Sequence, residues 1–361
     1  MIVGKTVLPR GMYISMRNTL TYFKEFRHLA KRRSTDWCIE VNQPLVLISQ
    51  IQRSGGTLLS QLFDGHSQCH AHPYELYIGH PRKYDWPELN LDDKIETWFE
   101  VLQERPAVQS FENGYSKYSE NGVNALESFP FAFSYTLQQN IFRRYLQAKG
   151  VIKERDILNA YMTSYFNAWL DNQNLYGGDK RYITGFVPRM NMDVTNIDHF
   201  FTVYPHGKFI SLIRDPKSWF VSARKHQPHK YDNMEHSIAH WLASTEAALA
   251  IQAKYPQSTC LISFEQLLTN LQGTMYNLCD FLGIDFEPTL LTPTFNHFTI
   301  KADSSFKVQT HGIIDEPLKR YQSLTPQETS YIETQTETII EAVRGQIVTP
   351  PSANPHATHS N

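Results

Sequence analysis

Short apolar runs alternate with polar bends along most of this chain. Leu45-Val-Leu-Ile48 is an unbroken apolar run and reads as a buried strand. It stops at the bend Arg53-Ser-Gly-Gly-Thr57, after which Leu58, Leu59, Leu62 and Phe63 recur at helical spacing. Cys69–His72 reads as a short strand, Tyr182–Gly185 as another, and Val194–Val203 as a helix. Phe209–Ile213 is a strand, Pro216–His226 a helix, and His236–Lys254 a long amphipathic helix. Cys260–Phe264 is a strand, Gln266–Leu282 a helix, and Thr325–Val343 a closing helix. Strands alternating with helices predict an α/β fold, a P-loop-like, mostly parallel sheet with helices on both faces.

Between Tyr77 and about Gly178 the pattern changes. Leu91–Leu102 and Ile157–Leu170 have helical periodicity, with loops near Pro81–Pro87 and Glu112–Pro130. Asn113, Gly114, Asn121 and Gly122 mark flexible turns. This stretch, residues 77–178, reads as a helical insertion in a single domain over 41–345. Residues 1–40 form a basic N-terminal segment. The tail 346–361 is poor in apolar residues and expected to be disordered.

The first bend carries candidate chemistry. Strand, glycine-containing turn and helix together make a phosphate-sized cradle. A loop for ATP or GTP needs G-x-x-x-x-G-K-[ST], whose Lys reaches the outer phosphates. Aligning Thr57 with the Ser/Thr leaves Gly56 at the Lys position and Gln50 at the first Gly, and the basic residue moves back to Arg53. That pattern favours a short group on one phosphate over a triphosphate with Mg²⁺. A second motif follows the strand ending at Ile213. Arg214-Asp-Pro216 opens a helix, with Pro216 suited to its first turn. Arg214 and Ser222 are eight residues apart, so a strand-end guanidinium and a helical hydroxyl can converge on one oxyanion.

The two segments together resemble the sulfotransferase superfamily, closest to its carbohydrate and tyrosyl-protein branch. Arg53-Ser-Gly-Gly-Thr57 looks like the loop for a 5′-phosphosulfate, and Arg214 with Ser222, in IRDPKSWFVS, like the 3′-phosphate site. The resemblance extends to Phe200-Phe201…Tyr204-Pro205, Ile262-Ser-Phe-Glu265-Gln-Leu-Leu268 and Phe281-Leu-Gly-Ile284. It implies 3′-phosphoadenosine 5′-phosphosulfate (PAPS) as sulfuryl donor, adenosine 3′,5′-bisphosphate (PAP) as product, no metal, and a hydroxyl acceptor on a glycan, lipid or small alcohol. Arg53, Ser54, Gly55, Gly56, Thr57 and Leu58 would hold the phosphosulfate, with Arg53 opposite the charge that develops on the leaving phosphate. Arg214 and Ser222 would hold the 3′-phosphate, while Lys307 and Arg320 lie where relatives place a loop over the donor. The helical insertion would then cap the donor and form the acceptor pocket.

The expected general base is Glu75, 22 residues beyond Arg53, where relatives that use a glutamate carry it. Flanking Tyr74, Leu76 and Tyr77 would raise its pKa. His72 is the alternative base. A lysine common two residues before Pro in the family is here Phe186, in Gly185-Phe-Val-Pro188, and Arg189 is a candidate replacement. His66, Cys69, His70 and His72 lie close together but match no standard zinc spacing. Two competing readings are an ATP-using P-loop kinase and a non-catalytic nucleotide-binding protein.

Composition narrows the partners. The 361 residues carry a formal charge of −2, no electrostatic footprint for nucleic acid. Four dispersed cysteines, Cys38, Cys69, Cys260 and Cys279, read as reduced thiols of a cytoplasmic protein. No apolar run has membrane-spanning length, and no signal-peptide core precedes the domain. Residues 10–33 interleave Arg10, Arg17, Lys24, Arg27 and Lys31–Arg33 with Met12, Tyr13, Phe23 and Phe26. They read as a peripheral helix packed on the domain, or alternatively as an interfacial helix on an anionic membrane.

Overall fold

A computed structural model describes residues 38–78, 85–103, 131–300 and 316–347. The basic segment 10–33, the turn residues 113–122, Lys307 and nearly all of the 346–361 tail lie outside these. In chain order the elements are β1 (Leu45–Ile48), α1 (Gly56–Leu62), β2 (Cys69–Glu75), α2 (Ile95–Leu102), α3 (Tyr135–Gln147) and α4 (Glu154–Ala168). They continue with β3 (Tyr182–Phe186), α5 (Val194–Val203), β4 (Lys208–Ile213), α6 (Pro216–His226), α7 (Pro228–Tyr231) and α8 (Met234–Lys254). Last come β5 (Thr259–Ser263), α9 (Phe264–Thr269), α10 (Leu271–Leu282), the hairpin Thr294–Phe295/Phe298–Thr299 and α11 (Pro326–Arg344).

The chain divides into two compact units. In the smaller, residues 38–42, 89–103 and 131–176, the aromatic periodicity does its work inside a helical core. Phe99 of α2 packs edge-on against Phe142 of α3, ring centres 5.2 Å apart, and Tyr165 of α4 lies 5.2 Å from Phe133. Val41 N–H donates to Thr163 Oγ1 at 2.9 Å, tying the strand-entry segment to α4.

The larger unit holds a five-stranded sheet in the order β2-β3-β1-β4-β5, with every pairing parallel. The apolar runs are explained by burial on both faces. Along β4 and β5, Ile210, Leu212, Cys260 and Ile262 point into a core with Leu58, Leu62, Leu267 and Met275, while Ile213 and Leu261 point into another with Trp219, Trp241 and Ile332. Period-two alternation with both sides apolar is the mark of a doubly covered parallel sheet. The chain leaves β1 for β2 and β3 on one side and returns for β4 and β5 on the other. The order therefore reverses at the β1–β4 boundary, where such sheets open a ligand crevice beyond their strand ends.

The sequence reading needs three adjustments. Gln266–Leu282 is two helices, because Asn270 interrupts the first and its side chain accepts from Gly273 N–H at 3.2 Å to cap the second. The strand at Cys69 continues to Glu75, with its pairing to β3 slipping between Ala71 and Glu75. α3 is a full helix that periodicity did not single out. Among the described residues no helix is long and apolar enough to cross a membrane.

Candidate active site

The turn after β1 is fixed from several sides. Ile51 N–H donates to Ser244 Oγ of α8 at 3.0 Å. Three carbonyls of the turn are engaged: Gln50 by Arg189 N–H at 2.9 Å, Gln52 by the Trp219 indole at 2.8 Å, and Arg53 by Arg214 Nη1 at 2.8 Å. With these partial negative charges already satisfied, the turn is free to face an anion. Arg53 has φ 72° and Gly55 φ 96°, both left-handed. Glycine takes that conformation freely, and an added Cβ at Gly55 would also collide with the Phe264 ring. A Cβ at Gly56 would collide with the Gln50 amide and the Phe186 ring, so a side chain here requires both to shift.

Among the described residues, several buried polar atoms at this turn have no hydrogen-bond partner: both amide atoms of Gln50, Ser54 Oγ, and Nε of Arg214. Leaving such groups unmade costs about 1–3 kcal/mol each. Four of them around one bend mark a place built for a polar ligand.

Three arginines converge beside it. Ser222 of α6, fully buried, accepts from Arg53 Nε at 3.4 Å and from Arg320 Nη1 at 3.3 Å. Arg214 donates to the carbonyls of Arg53 and Pro317 (3.1 Å) and stacks on Phe264, its guanidinium carbon 4.6 Å from the ring centre. Arg214 and Ser222 thus meet through Arg53, which each of them touches, rather than directly. Burial foremost, then the Arg320 and Arg53 cations, push the Arg214 pKa down to about 9, against the opposing pull of Glu265 and Asp215. At neutral pH Arg214 stays charged in surroundings that disfavour its charge, which an incoming anion relieves. Asp215 caps α6, accepting from Ser218 N–H at 2.8 Å. Glu265 supports the Arg214 turn. It accepts from Asp215 N–H at 3.0 Å, and burial raises its pKa above the ordinary carboxylate value.

Glu75 ends β2 opposite Phe186 on β3, and the Phe186 ring abuts Gly56. The proposed base is therefore one strand register removed from the turn. Its Oε2 accepts from Tyr77 Oη at 2.5 Å. His72 is buried, and its Nδ1 is held by its own bend, 2.9 Å from the Tyr74 carbonyl and 3.3 Å from the Tyr74 nitrogen. His66 lies elsewhere in purpose. Its Nε2 donates to Asp285 O at 2.9 Å while Nδ1 accepts from Gln68 N–H, a structural bridge. Among the described residues no three His, Cys, Asp or Glu side chains group as a metal site.

Gln50 was noted in the sequence only as a missing glycine, and Arg320 only as a loop residue over the donor. The structure gives both inward-facing roles. Gln50 carried one usable signal, a polar residue two positions past a buried strand. Arg320 carried none, since the 3₁₀ helix Glu316–Ser323 that delivers it lies about a hundred residues from Ser222.

Residues 44–288 match a protein-family model described as the sulfotransferase family. Among solved structures the chain is similar to a sulfotransferase domain from the curacin biosynthetic pathway, at 17% identity over 83% of this chain and 99% of that one, TM-score 0.45. It is also similar to the sulfotransferase domain from the Synechococcus PCC 7002 olefin synthase, at 17% identity over 87% and 99%, TM-score 0.47. A third is a sulfotransferase from Alicyclobacillus acidocaldarius, at 12% identity over 85% and 98%, TM-score 0.41. No curated protein matches the chain in sequence.

Proposed function

This chain belongs to the sulfotransferase family, and we propose that it moves a sulfuryl group from PAPS to a hydroxyl acceptor by in-line displacement. The observation that carries the reading is the union of two phosphate motifs into one cationic surface, with Arg53 reaching Ser222 while Arg214 reaches Arg53. A donor charged at both ends needs such a surface. The turn Arg53–Leu58 holds the 5′-phosphosulfate, with Gln50 and Ser54 as its buried polar partners. Arg214, Ser222 and Arg320 hold the 3′-phosphate. Lys307 is a further candidate contact to the donor phosphates.

The acceptor oxygen attacks sulfur, and the bond from sulfur to the 5′-phosphate oxygen breaks. PAP leaves with that electron pair, stabilised by Arg53 and the turn amides. The acceptor proton passes to Glu75, whose Oε2 is fixed by the hydrogen bond from Tyr77. His72 is the weaker candidate, because its Nδ1 is committed to the Tyr74 backbone. Glycans, glycolipids and small alcohols are all acceptors of suitable chemistry.

Calorimetry tests the donor. PAP should bind at least about tenfold more tightly than 5′-AMP, the worth of one charge-assisted contact to the 3′-phosphate. Equal affinities, or no heat with PAP on folded protein, overturn the reading. Transfer of radiolabelled sulfate from PAPS across a panel of alcohols then tests the reaction.

A further inference from the structure

The strand ends lay the donor out in one direction. Across the sheet, in the order β4-β1-β3-β2, they carry Arg214 just past β4, the Arg53 turn after β1, Phe186 at the end of β3 and Glu75 at the end of β2. Neighbouring strands stand ~4.8 Å apart, so these ends form a row. A donor with its 3′-phosphate at Arg214 and its 5′-phosphate at the Arg53 turn points its sulfuryl group onward, toward Phe186 and Glu75. In-line attack requires that order, because sulfur must lie between the leaving oxygen and the acceptor oxygen. Gln50 is a polar side chain that the fold places on this stretch of the row.

The backbone fixes its position. The β1–β3 ladder continues beyond both strands: Val187 N–H donates to Ile48 O and Arg189 N–H to Gln50 O, each at 2.9 Å. Val46 and Ile48 face the core that holds Leu58 and Leu62 of α1, and Gln50 is the next position on that face. Its amide reaches Gly56, where an added Cβ would lie 2.1 Å from Nε2 and 2.3 Å from the Phe186 ring. Phe186 pairs with Ile48 on one side and with Glu75 on the other. The amide thus sits beside the residue that separates the turn from the base. Gln50 is 2% exposed, and among the described residues neither of its amide atoms has a hydrogen-bond partner. A glutamine buried with both polar atoms unmade is accounted for by a ligand that meets them.

The geometry points to Gln50 as the side chain that binds the sulfuryl group being transferred: Nε2 donates to a sulfuryl oxygen and holds sulfur in line between the 5′-phosphate and the acceptor. The assignment rests on PAPS being the donor. A neutral amide suits this place. As the bond from sulfur to the 5′-phosphate oxygen breaks, negative charge develops on the leaving phosphate, beside Arg53, so the transferred group needs orientation rather than a second cation. PAP, which lacks the sulfuryl group, cannot make this contact.

Calorimetry of the full chain with PAP and with PAPS, without acceptor, tests the contact. Gln50→Met keeps an unbranched side chain of similar length and removes both polar atoms. It should bind PAPS at least about tenfold more weakly than the parent chain while PAP affinity stays within about threefold, the loss of one hydrogen bond to a charged group. Without ligand the variant should melt at or above the parent chain, since it leaves no buried amide unmade. Gln50→Leu supplies the same readings in a second shape, should Gln50→Met fail to fold. A ratio of PAPS to PAP affinity that does not change overturns the sulfuryl contact, whether both affinities hold or both fall. A lower melting temperature in both variants shows the amide satisfied in the free protein and removes the premise. Failure of PAP and PAPS alike to bind the unmutated chain overturns the donor reading and the contact with it, and is told apart because it needs no variant.

Discussion

Arg53 is asked to do two incompatible things, and replacing it separates them. Its backbone is left-handed at φ 72°, while its guanidinium reaches Ser222 in the second motif. Arg53→Ala and Arg53→Gly both delete the guanidinium and keep the carbonyl that Arg214 holds. Only glycine removes the backbone strain. That strain is about 1–2 kcal/mol, offset by the extra chain entropy glycine loses on folding, about 0.5–1 kcal/mol. The difference leaves Arg53→Gly more stable than Arg53→Ala by about 0.5–1 kcal/mol, or roughly 1–3 °C in melting temperature. Turnover should fall in both variants by about 10²–10³, the usual worth of one donor aimed at charge that develops in the transition state. The measurements are thermal melting and transfer of radiolabelled sulfate from PAPS. If Arg53→Gly keeps turnover within about fivefold of the parent chain, the guanidinium has no role in the chemical step. If it melts below Arg53→Ala, the strain argument fails whatever the activity shows.

Other expectations follow from single contacts. Arg214→Lys keeps the charge but loses the fork that spans Arg53 O and Pro317 O, so PAP should bind about 10–100-fold more weakly by calorimetry, and an unchanged dissociation constant would remove the second motif from the donor site. Glu75→Gln should lower kcat about 10²–10⁴-fold while sparing PAP affinity, and a silent variant would transfer the base role to His72. His70 is buried, and burial first, then Lys180, hold its pKa down to about 3, well below the unfolded value near 6.5. The unfolded chain binds the extra proton, so stability is full above pH ~6.5 and falls by about 2 kcal/mol on acidification to pH 5; His70→Asn should flatten that part of a urea-denaturation pH profile, and an unaltered slope would contradict the assignment.

Where the sequence was legible, the reason is physical. β1, β4 and β5 announce themselves as apolar runs because both faces of the sheet are covered, and α6 begins at Pro216 as its first-turn proline requires. The reading stopped short at β2 because Pro73 has no N–H to give the ladder, and the pairing does slip around it before resuming at Glu75. The break at Asn270 was available as a capping signal and was passed over because apolar spacing runs through it. The motifs carrying Arg53, Arg214 and Ser222 could be picked out because each is local, a strand end followed by a turn and a helix. The placement of Gln50, Arg320 and Arg189 beside the turn could not be, since each depends on which strand end or helix lies alongside after folding, and no periodicity encodes that.

The glycine that stands where a nucleotide-triphosphate loop carries lysine now has a structural reason. Position 56 is filled from outside by the Gln50 amide and the Phe186 ring, so no side chain can be placed there without moving both. The positive charge beside the turn comes from Arg53, Arg214 and Arg320, which lie at the turn, at a strand end or near the far end of the chain. A lysine at the head of a loop delivers a mobile point charge to outer phosphates; forked guanidiniums fixed by Phe264, Ser222 and two backbone carbonyls deliver charge at set positions on either side of one bend. That arrangement suits a ligand with compact anionic groups at two separate points far better than a triphosphate. The missing lysine weighs against the kinase reading, and a thermal-shift comparison should show PAP raising the melting temperature where ATP with Mg²⁺ leaves it unmoved.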